Sequence, residues 1–183
     1  AQSFGLPVKQ CDFFSKTIKP ASFEVVTMFE VLEHLPDPIS FLQRAATVVK
    51  PGGLIYLTTP NFNCFDRRVQ GASWPVIHLE HLTYFTPKTL LSAIDSATDL
   101  TVLRCETRNI SVQSFQHIRS FLPGRKKSSV ASSQLVEQTN SSDDIRKVIE
   151  RSRVLQFIKR VINAFLNITS SGNTIVMLLK RPE

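Results

Sequence analysis

Apolar residues along this chain follow two different spacings, and each switch between them marks an element. Residues 23–29 (Phe-Glu-Val-Val-Thr-Met-Phe) are largely apolar and rich in β-formers, as a strand covered on both faces would be. Beyond Asp37-Pro38, the residues Ile39, Leu42, Ala46 and Val49 recur at helical spacing, which predicts an amphipathic helix. An Asp cap followed by Pro at the first helical position starts it, and Lys50-Pro51-Gly52-Gly53 stops it. Residues 54–58 form the next predicted strand. Thr86-Pro87 opens a second helix by the same device, with Leu90, Leu91 and Ile94 as its inner face, and residues 100–105 read as another strand. A long helix is predicted over 145–168, where Ile145, Val148, Ile149, Leu155, Ile158, Ile162 and Phe165 lie near one stripe. Residues 173–180 form a last strand and residues 8–13 a short first one. The stretches 61–81 and 122–144 read as loops.

Strands alternating with helices predict an α/β fold built on a mostly parallel sheet. In such sheets ligands bind beyond the carboxyl ends of the strands. Chemistry is therefore sought just after Phe29 and just after Thr58.

Composition narrows the class. With 42% hydrophobic and 20% charged residues the chain is globular rather than disordered, and no apolar run approaches the roughly 20 residues that span a bilayer. Cys11, Cys64 and Cys105 match no metal spacing and read as reduced thiols of a cytoplasmic protein. Residues 1–110 carry ten Lys/Arg and ten Asp/Glu, whereas residues 111–183 carry twelve against five, the whole of the net +7. A neutral part followed by a basic part suggests an anionic substrate or a membrane surface near the second, or simply a solvated helix face. Apolar residues off the main stripe of the 145–168 helix (Val154, Phe157, Val161, Leu166) point to a cap over the acceptor site or a surface for self-association.

The text at the two mouths is recognisable. Glu30-Val31-Leu32-Glu33-His34-Leu35, then Asp37-Pro38, Lys50-Pro51-Gly52-Gly53 and Thr59-Pro60-Asn61 resemble class I S-adenosylmethionine-dependent methyltransferases of the ubiquinone-biosynthesis O-methyltransferase group. Ser73-Trp74, Glu80-His81-Leu82 and Phe85-Thr86 resemble it too. The resemblance implies a Rossmann-like sheet of which strands three to seven are present, mostly parallel with a final antiparallel strand. It also implies that the first βαβ unit, with its glycine-rich cofactor loop, is missing, that the strand at 8–13 has no neighbour, and that the fragment alone is inactive. Residues 1–110 would be the methyltransferase part, 111–171 a basic loop and helical cap, and 172–183 the final strand. The activity implied is methyl transfer from S-adenosylmethionine to oxygen or nitrogen on a small molecule, lipid or sugar. A catalytically silent binding or scaffold domain and an RNA 2′-O-methyltransferase are the alternatives.

Site residues follow by position. Asp12 and Phe13 would meet the adenine, and Phe29 and Glu30 the methionine part of the cofactor. Asp12 otherwise reads as a turn residue and Phe29 as core. His34, His78 and His81 are candidate bases, since imidazole titrates near neutral pH, with His34 and His81 standing inside the family motifs. Glu30, Glu33, His34 and His81 together offer oxygen and nitrogen ligands suited to Mg²⁺, Mn²⁺ or Zn²⁺. Tyr84 and Lys88 have the spacing of a dehydrogenase pair, but Thr86-Pro87 places the helix start between them, which makes the match coincidental.

Overall fold

Hydrogen-bond pairing turns the apolar runs into one four-stranded sheet. The computed structural model describes residues 4, 5, 8, 10–110 and 153–183, with helical side chains from Arg160 onward. In chain order the elements are β1 (Phe23–Phe29), a 3₁₀ turn (Leu32–His34), α1 (Pro38–Val48), β2 (Val49–Pro60), α2 (Phe65–Gln70), a 3₁₀ turn (Gly71–Ser73), α3 (Pro87–Ala97), β3 (Thr101–Arg108), α4 (Arg153–Ile168) and β4 (Thr174–Lys180). The strand order is β1-β2-β4-β3. β1 pairs parallel with β2, while β4 runs antiparallel to both β2 and β3. Three strands thus point one way and the final strand opposes them. By direction the sheet is mostly parallel; by pairing, because β4 is inserted centrally, it is mixed.

Both helix starts form as their sequences dictate. Asp37 caps α1, its side chain accepting from the Ser40 amide, with Pro38 in the first turn. Thr86 caps α3 in a reciprocal box with Thr89, and Pro87 follows. Tyr84 accordingly precedes the helix that carries Lys88. α1 and α3 cover one face of the sheet, where Leu42, Leu90 and Ile94 join Ile55, Leu57, Ile175, Met177 and Leu179 in a fully buried core. At Gly53 a Cβ would lie 2.8 Å from the backbone oxygens of Glu24 and Lys50, so only glycine lets β1 and β2 approach there.

Four expectations need correction. The predicted strand at 8–13 does not form among the described residues: residues 10–12 have no regular structure, and Phe13-Phe14 is a turn. A parallel strand needs a neighbour to receive its hydrogen bonds, and β1 pairs only with β2. β1 is also not covered on both faces: Met28 is buried in the core beneath α1 and α3, but Phe23, Val25 and Phe29 on the opposite face are exposed. β2 begins at Val49 rather than after the Pro-Gly-Gly stop, which is taken up within its extended first residues. The loop at 61–81 contains α2, whose start is capped by the Cys64 sulfur accepting from the Arg67 amide.

Of the stripe predicted for the long helix, Ile162 and Phe165 fall among the described side chains, and Ile162 is half-buried. Among the described side chains of α4 Leu166 is buried, while Phe165 is 64% and Ile168 83% exposed. What seats α4 is polar: Asn167 Oδ1 accepts from the Thr107 amide (3.1 Å), Asn163 Oδ1 from the Asn109 amide (3.2 Å), and Thr107 Oγ1 donates to the Leu166 carbonyl (2.8 Å). The loop predicted at 122–144 and the start of the helix predicted at 145 lie outside the described residues. Among the described residues no helix is long and apolar enough to cross a membrane, and all three cysteines are free.

Candidate functional site

The site forms where β1 and β2 end, because there the chain must leave the sheet abruptly. Glu30 takes the left-handed conformation (φ 51°), unusual for a residue with a side chain, while its amide donates to the Thr58 carbonyl (3.0 Å). That bend throws the next residues into the 3₁₀ turn, where fully buried Leu32 anchors Glu33 and His34. The loop before α3 closes over them, as the amides of Leu82 and Thr83 both donate to the Glu33 carbonyl (2.8 and 3.1 Å). This docking brings His81 beside Glu33 and His34.

Glu33 is 2% exposed. Its Oε2 accepts from Thr59 Oγ1 at 2.9 Å, whereas Oε1 has no hydrogen-bond partner and lies 4.0 Å from His34 Nε2. The His34 Nδ1 stands 3.0 Å from the Glu80 carbonyl, which can only accept. Nδ1 therefore carries the proton, and in the neutral ring Nε2 presents a lone pair towards Glu33. A carboxylate oxygen and an imidazole lone pair facing each other repel, unless a proton or a cation lies between them.

His81 adds a second buried atom without a partner. Its Nδ1 is buried without a partner, and its ring centroid is 4.6 Å from that of His34 and 3.8 Å from that of His78. Burial, helped by the neighbouring His78 and His34, pushes its pKa down and keeps the ring neutral. Glu33, His34 and His81 each offer a ligand atom, all within 4.8 Å of one another. An ion with bonds of roughly 2.1 Å would draw them closer. Glu30 stands outside this triad, although its carboxyl is pushed up by burial and by interaction with Glu33. Three of the four proposed ligands thus converge, and the fourth borders them.

The proposed cofactor residues are dispersed around this centre. Phe29 is exposed rather than core and packs on Tyr56 with centroids 5.6 Å apart. Asp12 is exposed, and one carboxyl oxygen accepts from the Phe14 amide (2.9 Å), closing a turn. Phe13 stacks on Phe41 at 4.4 Å. Thr59 and the Glu80 carbonyl, which fix Glu33 and the tautomer of His34, went unassigned by sequence reasoning. Both lie inside the quoted motifs, but nothing in their identity indicates those partners.

A methyltransferase-domain family profile matches residues 7–104, more than half of the chain. The chain belongs to this methyltransferase family. Over 42 residues it is 57% identical to a ubiquinone biosynthesis O-methyltransferase of Colwellia psychrerythraea, covering 23% of this chain and 17% of the relative. Over 85 residues it is 40% identical to the enzyme of the same name from Paracidovorax citrulli, covering 43% and 36%. The matched parts therefore span well under half of these relatives' lengths. In fold it is similar to a SAM-dependent methyltransferase from Thermotoga maritima (TM-score 0.53, 13% identity), covering 98% of this chain and 66% of that one.

Proposed function

We propose that this methyltransferase domain serves S-adenosylmethionine-dependent O-methylation of a small hydroxylated molecule, with Glu33, His34 and His81 as the reacting centre. What supports this reading is the convergence of one ligand atom each from Glu33, His34 and His81 at the strand mouth, two of the site's atoms, Glu33 Oε1 and His81 Nδ1, being buried without a partner. The donor set fits a divalent cation, which when bound would lower the pKa of an acceptor hydroxyl. Glu33, His34 and His81 would hold it, with Glu30 alongside. Without an ion, the same residues supply a base. The Glu80 carbonyl keeps the His34 proton on Nδ1, so Nε2 takes the hydroxyl proton while the acceptor oxygen takes the methyl.

Cofactor binding falls to the neighbouring residues. The free edge of Asp12 can accept from an amino group, with Phe13 beside it, while exposed Phe29 and Glu30 line the end of β1. The cofactor supplies a methyl already activated on a sulfonium, so the protein's task is alignment and proton removal. Neutral His81, kept so by burial, can share the proton-accepting role.

Transfer of labelled methyl from S-adenosylmethionine to a catechol by the full-length protein tests the reading. Glu33→Gln and His81→Ala are each expected to lower kcat about 100-fold or more, in line with loss of acid–base help. Loss of activity in chelator, restored by adding back Mg²⁺, Mn²⁺ or Zn²⁺, supports the metal. Full activity in chelator removes the metal and leaves His34 as base. Unchanged activity in both variants would refute the site, and a binding-only domain would show no transfer at all.

A further inference from the structure

A second constellation lies two strands away from the histidines, on β3. Arg104, Glu106 and Arg108 alternate along one face of that strand, the face opposite Val102 and Cys105, which pack on the α1–α3 core. Glu106 bridges both guanidinium groups: Arg104 Nε binds its Oε1, and Arg108 Nη2 lies 2.6 Å from its Oε2. Burial works against ionising Glu106, but the hydrogen bonds from Arg108 and Arg104 outweigh it and hold its pKa below the ordinary value. The two arginines are thus fixed rather than splayed into solvent.

Opposite them, α4 contributes Arg160, Asn163 and Asn167, and the two elements enclose a groove of about 320 Å³. Among the described residues Arg160 has no carboxylate partner. The asparagines are oriented by β3 itself. Backbone amides can only donate, so Asn163 and Asn167 must present Oδ1 to Asn109 and Thr107, and among the described residues their NH₂ groups have no partner. The groove therefore holds three cations against one consumed carboxylate, with spare N–H donors from two amides. Its net charge is about +2, and nothing among the described residues neutralises it.

We propose that the groove between β3 and α4 is a binding site for a phosphate group. Arginine forks and amide N–H groups match the several acceptor oxygens of a phosphate, and an anion there relieves the mutual repulsion of the guanidiniums. The shared chemistry has two sources, a soluble phosphate compound or a phospholipid headgroup. Val161, Phe165 and Ile168, exposed on the neighbouring face of α4, would enter the interface only in the second case. The site stands apart from the histidine cluster and does not rest on the function proposed for it.

Calorimetric titration of the full-length protein with inorganic phosphate, in low-salt buffer free of other oxyanions, tests this. Saturable binding is expected, weakened about tenfold by Arg160→Gln and by Arg104→Gln, with Arg160→Lys falling between. These side chains are exposed, and matched thermal melts confirm that the variants remain folded. Cosedimentation with phosphatidylglycerol vesicles but not phosphatidylcholine vesicles, reduced by both Arg160→Gln and Phe165→Ser, assigns the headgroup as the source. Phosphate binding without cosedimentation assigns a soluble ligand. Absence of saturable binding to both phosphate and vesicles, or binding equally strong in Arg160→Gln and Arg104→Gln, overturns the proposal.

Discussion

The helices α1 and α3 and the helix α4 are held to the same sheet by opposite means. α1 and α3 present Leu42, Ala45, Leu90 and Ile94 to the strands, all fully buried, and their polar residues face away. α4 buries only Leu166 among its described side chains and is otherwise fastened by side-chain amides to the backbone of β3. An apolar seam is non-directional and tolerates sliding, whereas amide-to-backbone bonds fix a register. The first kind of seam supplies stability. The second places Arg160, Asn163 and Asn167 at one position over Arg104 and Arg108.

The sharpest test of that contrast is the cost of deleting a leucine on each side. Leu42→Ala empties a fully buried site in the main core, and should destabilise the protein by about 3–5 kcal/mol. Leu166→Ala lies against a single strand at the rim and should cost about 2 kcal/mol, with Phe165→Ser within ~0.5 kcal/mol. Urea unfolding followed by circular dichroism measures all three. Equal losses at Leu42 and Leu166 would show that α4 is as much a core element as α1, and a large loss at Phe165 would show a covered face there.

The same contrast explains what could be read from sequence. Asp37-Pro38 and Thr86-Pro87 announce helices because capping is local chemistry, complete within four residues. The apolar runs at β1, β2 and β4 announce strands. In the described part of α4 periodicity points to Ile162 and Phe165, but it counts only apolar residues, whereas Asn163 and Asn167 make the polar contacts to β3. α2 was missed since six residues give no period and cysteine is not a usual cap. At the histidine site the residue types were legible in Glu30-Val31-Leu32-Glu33-His34 and Glu80-His81. The tautomer of His34 depends on a carbonyl 46 residues away, and the orphaned oxygen of Glu33 on which edge Thr59 engages. Those are tertiary facts.

The smallest expected effect concerns Glu106, the one carboxylate among the described residues that line the polar seam's groove. It faces Arg104 and Arg108 on its own strand and Arg160 across the groove. Its folded pKa is depressed, so the stabilisation it provides is fully present above the unfolded carboxyl value, near 4.3, and fades as pH falls through the folded value. Glu106→Gln removes that contribution. Because the Arg104 side chain is 61% and that of Arg108 41% exposed, solvent screening limits it to about 0.5 kcal/mol near neutral pH. The difference in stability between the two proteins should therefore be flat from pH 7 to 5 and close towards zero below pH 4. Urea midpoints measured across that range provide the check, since the other carboxylates titrate alike in both proteins and cancel. A difference that grows on acidification would mean that Glu106 is held protonated, and the arginines would then lack the anchor that fixes them over the groove.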